Sequence, residues 1–173
     1  MRAAEDPMNE LVIIRHGLAH QRDPKGRLDD RARRLTPAGR KKFRSAAAGL
    51  RSWAPQIDVL LTSPLVRATE TAAILTETAK WPKARPCAEL DPAADPASLL
   101  TRIHKSTASR IALVGHEPQL SQLIGLCIGA PGSTCAVEVK KGAAAVISFA
   151  GAVRAGRGTL TALLPPRLLR QLG

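Results

Sequence analysis

Two histidines and two arginines in this 173-residue chain stand where apolar runs stop. Arg15 and His16 close the run LVIIRH, His116 closes ALVGH, and Arg67 follows shortly after Ser63, where IDVLLTS ends. A neutral imidazole is a competent nucleophile near pH 7, because its unperturbed pKa lies close by. Two guanidiniums supply planar, permanently charged forks that match phosphate oxygens. Together they read as equipment for holding and moving a phosphoryl group, work that consists mainly of positioning and charge stabilisation and can proceed without a metal. Other phosphate devices are missing from the sequence: no G-x-x-x-x-G-K-[ST], no Gly-rich dinucleotide loop and no aspartate cluster for Mg²⁺.

These residues are far apart in sequence, so the elements around them must bring them together. The run at 11–15 is apolar throughout, as a strand covered on both faces would be. A helix is expected next, with Thr36 as N-cap, Pro37 at the first helical position and Phe43, Ala46, Ala47 and Leu50 at helical spacing. IDVLLTS (57–63) reads as a second strand, and Ser63-Pro64 repeats the cap-plus-proline signal for a helix through LVRATETAAILTETAK. A short extended piece at 84–89, a helix from Asp95 to His104, a buried strand RIALVGHE and a helix PQLSQLIGLCI follow. AVEVKKGAAAVISFAG and GTLTALL read as a hairpin and an edge strand, and PPRLLRQLG as a docked terminal turn. The alternation predicts an α/β fold, a three-layer α/β/α sandwich around a mainly parallel sheet.

In such folds ligands sit outside the carboxyl ends of the strands. Arg15, His16, Arg67 and His116 all fall on that edge, joined by Glu89 after the extended piece and Glu117 beside His116. Arg67 in the first turn of its helix is misplaced with respect to the helix dipole unless an anion compensates. His16 and His20 at four-residue spacing suggest a metal pair, but Gly17 breaks the helical face such a pair needs, and no metal site is expected.

Composition narrows the classes. Hydrophobic residues make up 45% of the chain and aromatics 2%, with no tyrosine, so a core of Ala, Leu, Val and Ile is expected. The formal net charge of +12 favours encounter with anions, while the scarcity of stacking aromatics argues against nucleic acid. Cys87, Cys127 and Cys135 form an odd set without a C-x-x-C pair, which points to reduced thiols in a cytoplasmic protein. MRAAEDPMNE has no apolar core of a signal peptide, and no run is long enough to span a bilayer. Residues 1–9 are expected to be a flexible lead and 10–173 a single domain, acting as a monomer without a cofactor, a membrane or a nucleic-acid partner.

LVIIRHG, TSPLVRATETA and LVGHEPQLS, in that order and spacing, resemble the three signature segments of the histidine phosphatase, or phosphoglycerate mutase-like, superfamily. DDRARRLTPAGR resembles the D-x-x-R-x-L-T-x-x-G pattern of its compact SixA-type phosphohistidine phosphatases, as do GHEP, KKG and the C-terminal LLPPRLLRQLG. The resemblance implies a phosphoglycerate mutase-like fold, His16 as nucleophile, and Arg15, Arg67 and His116 as holders of the phosphoryl oxygens. It offers Arg33 as a further phosphate contact, a role that a solvated arginine among Arg31 and Arg34 does not require. For the proton donor it offers Glu89, with Glu117 as the rival.

Where mutases continue R-H-G with Glu-Ser and an asparagine, this chain reads Leu18-Ala19-His20-Gln21-Arg22, and it has no room for a mutase's cap insertions. An open pocket for a protruding phosphate is therefore expected, with a phosphohistidine-bearing protein as substrate. A small phosphomonoester, or a phosphate-binding module without turnover, remain the competing expectations.

Overall fold

The computed structural model describes residues 8–27, 29–54, 56–130 and 136–173. Six strands form one sheet: β1 (Met8–Arg15), β2 (Val59–Thr62), β3 (Arg85–Pro86), β4 (Arg110–Gly115), β5 (Ala144–Ala150) and β6 (Gly158–Leu164), in the order β3-β2-β4-β1-β5-β6. β3, β2, β4 and β1 pair in parallel, and β5 runs antiparallel to both of its neighbours. The helices are α1 (Pro37–Trp53), α2 (Val66–Ile74), α3 (Pro96–His104), α4 (Gln119–Ile128) and α5 (Pro166–Leu172).

The continuous apolar run of β1 is explained by its two covered faces. Val12 and Ile14 pack with Phe43, Ala47 and Leu50 of α1, Ala68 and Ala72 of α2, and Leu169 of α5. Leu11 and Ile13 point the other way, against Leu99 and Ile103 of α3 and Leu120, Leu123 and Ile124 of α4. The result is the expected α/β/α sandwich with a mainly parallel sheet. No helix among the described residues is long and apolar enough to cross a membrane.

Local signals mostly acted where they stood. Thr36 Oγ1 accepts from the Gly39 amide at 2.9 Å, with Pro37 opening α1, and the Asp95 side chain caps α3 by accepting from the Ala97 amide at 2.9 Å. Four expectations need correcting. α2 starts at Val66 with Leu65 as N-cap, because the Ser63 hydroxyl is drawn to His116 instead of capping. Residues 136–141 form no hairpin strand: the Val139 amide and carbonyl are taken by Glu117 and Arg15 side chains, which replace ladder partners. The C-terminal segment is a seven-residue helix rather than a turn. The chain is already in a strand at Met8 and Asn9, which shortens the expected lead at 1–9; residues 1–7 and Cys135 lie outside the described residues.

Candidate active site

β1 and β4 are neighbours in parallel register, with Arg15 opposite Gly115. The next residue on each strand is a histidine, and the His16 amide still bonds the Gly115 carbonyl at 3.1 Å. The imidazoles of His16 and His116 consequently lie side by side, ring centroids 5.0 Å apart and tilted by 51°. Both are almost fully buried, at 4% and 2% exposure.

His16 Nδ1 lies 2.7 Å from the Gly17 carbonyl, which only accepts, so the ring carries its proton on Nδ1 and leaves the Nε2 lone pair bare. Arg67 Nε donates toward that lone pair at 3.3 Å. Burial is the main cause that lowers the His16 pKa from 6.5 to about 3; the bond to Gly17 opposes it, and the charges of His116, Arg67 and Arg15 reinforce it. His16 is therefore a neutral base with a free nitrogen across the physiological range. Its turn is held by Thr71, one helical turn beyond Arg67, whose hydroxyl accepts from the Gly17 amide at 3.0 Å and donates to the Arg67 carbonyl at 2.6 Å.

His116 is fixed from the other side. Its Nε2 meets Ser63 Oγ at 2.9 Å, and that oxygen also accepts from the Leu65 amide at 3.3 Å. With the amide as donor to Ser63, the hydroxyl proton is free to go to Nε2, which puts the ring's own proton on Nδ1. Nδ1 is buried without a hydrogen-bond partner among the described residues, as is Arg15 Nε. Burial, then the charge of Arg67, lowers the His116 pKa to about 3, so this ring too is neutral.

A cavity of about 480 Å³ opens over these groups, and Arg15, His16, Arg67 and His116 all line it. The four residues chosen from the sequence are thus brought together. Arg33 also lines the cavity, but its side chain is committed: Nε to Asp30 Oδ1 at 3.0 Å and Nη1 to the His20 carbonyl at 2.8 Å. Arg22, Lys141 and the exposed His20 complete the basic rim.

The carboxylates stand differently. Glu89 is not in the cavity wall: it pairs with Arg102 at 3.2 Å and accepts from the Cys87 thiol at 3.3 Å. A backbone hydrogen bond first, and then that thiol, hold its pKa below the usual carboxylate value, the wrong direction for a proton donor at neutral pH. Glu117 does line the cavity, yet both its oxygens are engaged, Oε1 by the Val139 amide at 2.9 Å and Oε2 by the Ser121 hydroxyl at 2.7 Å. Burial pushes the Cys87 and Cys127 thiols up to about 11 and about 12, so neither is an ionised nucleophile.

Sequence reasoning missed Asp30 and Thr71 as parts of this site, and placed Ser63 at this edge only as a helix cap, not as the partner of His116. Asp30 stands in the D-x-x-R-x-L-T segment, three residues before Arg33, and Thr71 is one turn after Arg67; both spacings were visible.

A family model for the histidine phosphatase superfamily (branch 1) matches residues 11–91, the span that carries Arg15, His16 and Arg67. An uncharacterised protein of Picosynechococcus sp. is 31% identical over 116 residues, 65% of this chain and 69% of its own. This chain belongs to the histidine phosphatase superfamily. The phosphatase fold is shared with the protein histidine phosphatase SixA solved with tungstate, at a TM-score of 0.78 and 24% identity over 92% of this chain and 99% of that one. It is shared as well with a mycobacterial glucosyl-3-phosphoglycerate phosphatase, at a TM-score of 0.67 and 16% identity over 91% and 99%. Family and SixA-like structure together make the chain a phosphatase, while these two relatives act on very different phosphates by their names.

Proposed function

We propose that this phosphatase removes phosphoryl groups from phosphohistidine in proteins, by way of a phosphohistidine formed on its own His16. The observation that carries the nucleophile is the bare Nε2 of His16, aimed with Arg67 into a cavity walled by Arg15 and His116. In the first step Nε2 attacks phosphorus and the bond from phosphorus to the substrate nitrogen breaks; the departing imidazole takes a proton from solvent. In the second step water attacks phosphorus, the His16–phosphorus bond breaks, and inorganic phosphate leaves with His16 neutral again. Arg15, Arg67 and Nδ1 of His116 supply donors to the phosphoryl oxygens, and the unpartnered Arg15 Nε and His116 Nδ1 gain acceptors when the group is seated.

Substrate class is argued from the proton donor. An alkoxide leaving group from a phosphomonoester needs an acid close by, whereas an imidazole is a far better leaving group. Glu89 is turned to Arg102 and Glu117 is fully hydrogen-bonded, which supports a nitrogen–phosphorus bond as the one cleaved. The likeness to glucosyl-3-phosphoglycerate phosphatase keeps a small phosphomonoester as the second reading.

Two measurements test this. Incubation with a ³²P-labelled phosphodonor, quenched in alkaline detergent, should label the unsubstituted enzyme in an acid-labile, alkali-stable bond and leave His16→Ala unlabelled; equal labelling of the variant would remove His16 from the nucleophile's role. Comparing a phosphohistidine-carrying protein with a panel of sugar and nucleotide monoesters should give the higher kcat/KM for the protein, and a better monoester would overturn the substrate assignment.

A further inference from the structure

Three arginines that line the cavity converge on one acidic residue from separate segments. Asp30 Oδ1 accepts from Arg22 Nε at 3.1 Å and from Arg33 Nε at 3.0 Å, while Oδ2 takes Arg67 Nη2 at 3.2 Å and Arg22 Nη2 at 3.3 Å. The backbone carbonyl of the same residue accepts Arg67 Nη1 at 2.8 Å. Both terminal nitrogens of Arg67 are therefore gripped by Asp30, and Nε is the edge left to face His16. Arg67 itself is buried, so these protein acceptors dominate its orientation.

We propose that Asp30 is a positioning residue for phosphoryl transfer: it turns the guanidinium of Arg67 so that its Nε edge meets the phosphoryl group on His16. The inference rests on the reading of His16 and Arg67 given above. A guanidinium has a fork on two sides, and an anion in the cavity could be met by either. By taking one side with its carbonyl and carboxylate, Asp30 fixes which side is presented. Its charge has a second effect. Arg22, Arg33 and Arg67 repel one another, and the shared carboxylate offsets that repulsion; its own pKa is held far below the usual value, first by the bond to Arg22. Removal of that charge leaves the cavity more cationic, so an anion would still be captured while the geometry for transfer is lost.

This predicts a split that general disruption of the loop would not give. Asp30→Asn should lower kcat with phosphoramidate, a small nitrogen–phosphorus donor, by at least about tenfold, while affinity for inorganic phosphate, read as competitive inhibition, stays within about threefold. In an Arg67→Ala background, where there is no guanidinium to orient, the same substitution should change kcat by less than about twofold. A smaller loss in the first background, an equal loss in both, or a parallel collapse of phosphate affinity each overturns the assignment. Because the donor is not a protein, failure of the protein-substrate reading leaves this comparison intact.

Discussion

Arg67 Nε sits 3.3 Å from the one nitrogen of His16 that the Gly17 carbonyl leaves unprotonated. A cation is thus placed against the lone pair of the proposed nucleophile, which works only if that ring stays neutral. The pairing makes the protonation state of His16 part of the design of the pocket, and its consequences are measurable.

Activity should not follow an ordinary imidazole titration. The folded-state value of about 3, against 6.5 for a free imidazole, keeps His16 unprotonated throughout the neutral and mildly acidic range. With a phosphodonor that does not itself titrate there, kcat/KM should show no enzyme ionisation near pH 6.5 and should hold to below pH 5. A fall governed by a group near 6.5, matched by a titration of the His16 ¹⁵N shifts at the same pH, would contradict the structure.

Stability should respond to acid where activity does not. His16 and His116 both bind protons more readily in the unfolded chain, near pH 6.5, than in the fold, at about 3. Between these values the unfolded state holds more protons, so stability is complete above pH 6.5 and declines as pH falls through that window, by up to about 1.4 kcal/mol per pH unit for each ring. Denaturant melts at pH 7 and pH 5 should show a shallower decline for His16→Ala than for the unsubstituted protein.

Ser63 should count for catalysis rather than for helix α2. Its hydroxyl is spent on His116 Nε2, and that contact decides which ring nitrogen carries the proton. Ser63→Ala should cost about tenfold or more in kcat, as loss of a group that orients an imidazole does. ¹⁵N chemical shifts of His116 should report a change of tautomer while the melting temperature moves by only a few degrees.

Glu89 should be dispensable. It faces Arg102 and Cys87 away from the cavity, so Glu89→Gln should retain kcat on a phosphohistidine substrate within about threefold, where removal of an essential general acid costs about a hundredfold or more. A loss of the larger size would restore it as the proton donor.

Gly39 should tolerate no side chain. A Cβ placed there would lie 2.0 Å from the Leu18 carbonyl oxygen, and that carbonyl pairs with the Thr36 amide at 3.0 Å to seat the start of α1 beside the loop after His16. Gly39→Ala should destabilise by at least about 2 kcal/mol in a denaturant titration.

Much of the fold was legible because its signals are local or periodic. β1 and β4 announce themselves as apolar runs with polar ends, and Thr36 and Asp95 cap the helices that follow them. Arg15, His16, Arg67 and His116 were readable because topology alone brings strand ends together. What escaped depends on partners far away in sequence. Ser63 looks like a helix cap until His116 claims it. Residues 136–141 alternate like a strand, but Arg15 and Glu117 side chains occupy the backbone of Val139. Glu89 occupies a strand end in sequence, but its carboxylate is taken by Arg102 of α3 and the Cys87 thiol, and it does not line the cavity.

The register of β1 against β4 has a consequence for how such an enzyme can change. His16 and His116 are separated by the spacing of a sheet, one step past the Arg15–Gly115 rung, and not by the shape of any loop. The segments that carry Arg22, Arg33 and Lys141 belong to loops that frame the cavity from outside this rung. The imidazole pair and the mouth are therefore held by different parts: loops that keep Asp30 on Arg67 can otherwise differ to admit a sugar, a nucleotide or the flank of a protein, and the pair of neutral imidazoles beneath them stays where hydrogen-bonded strands hold it.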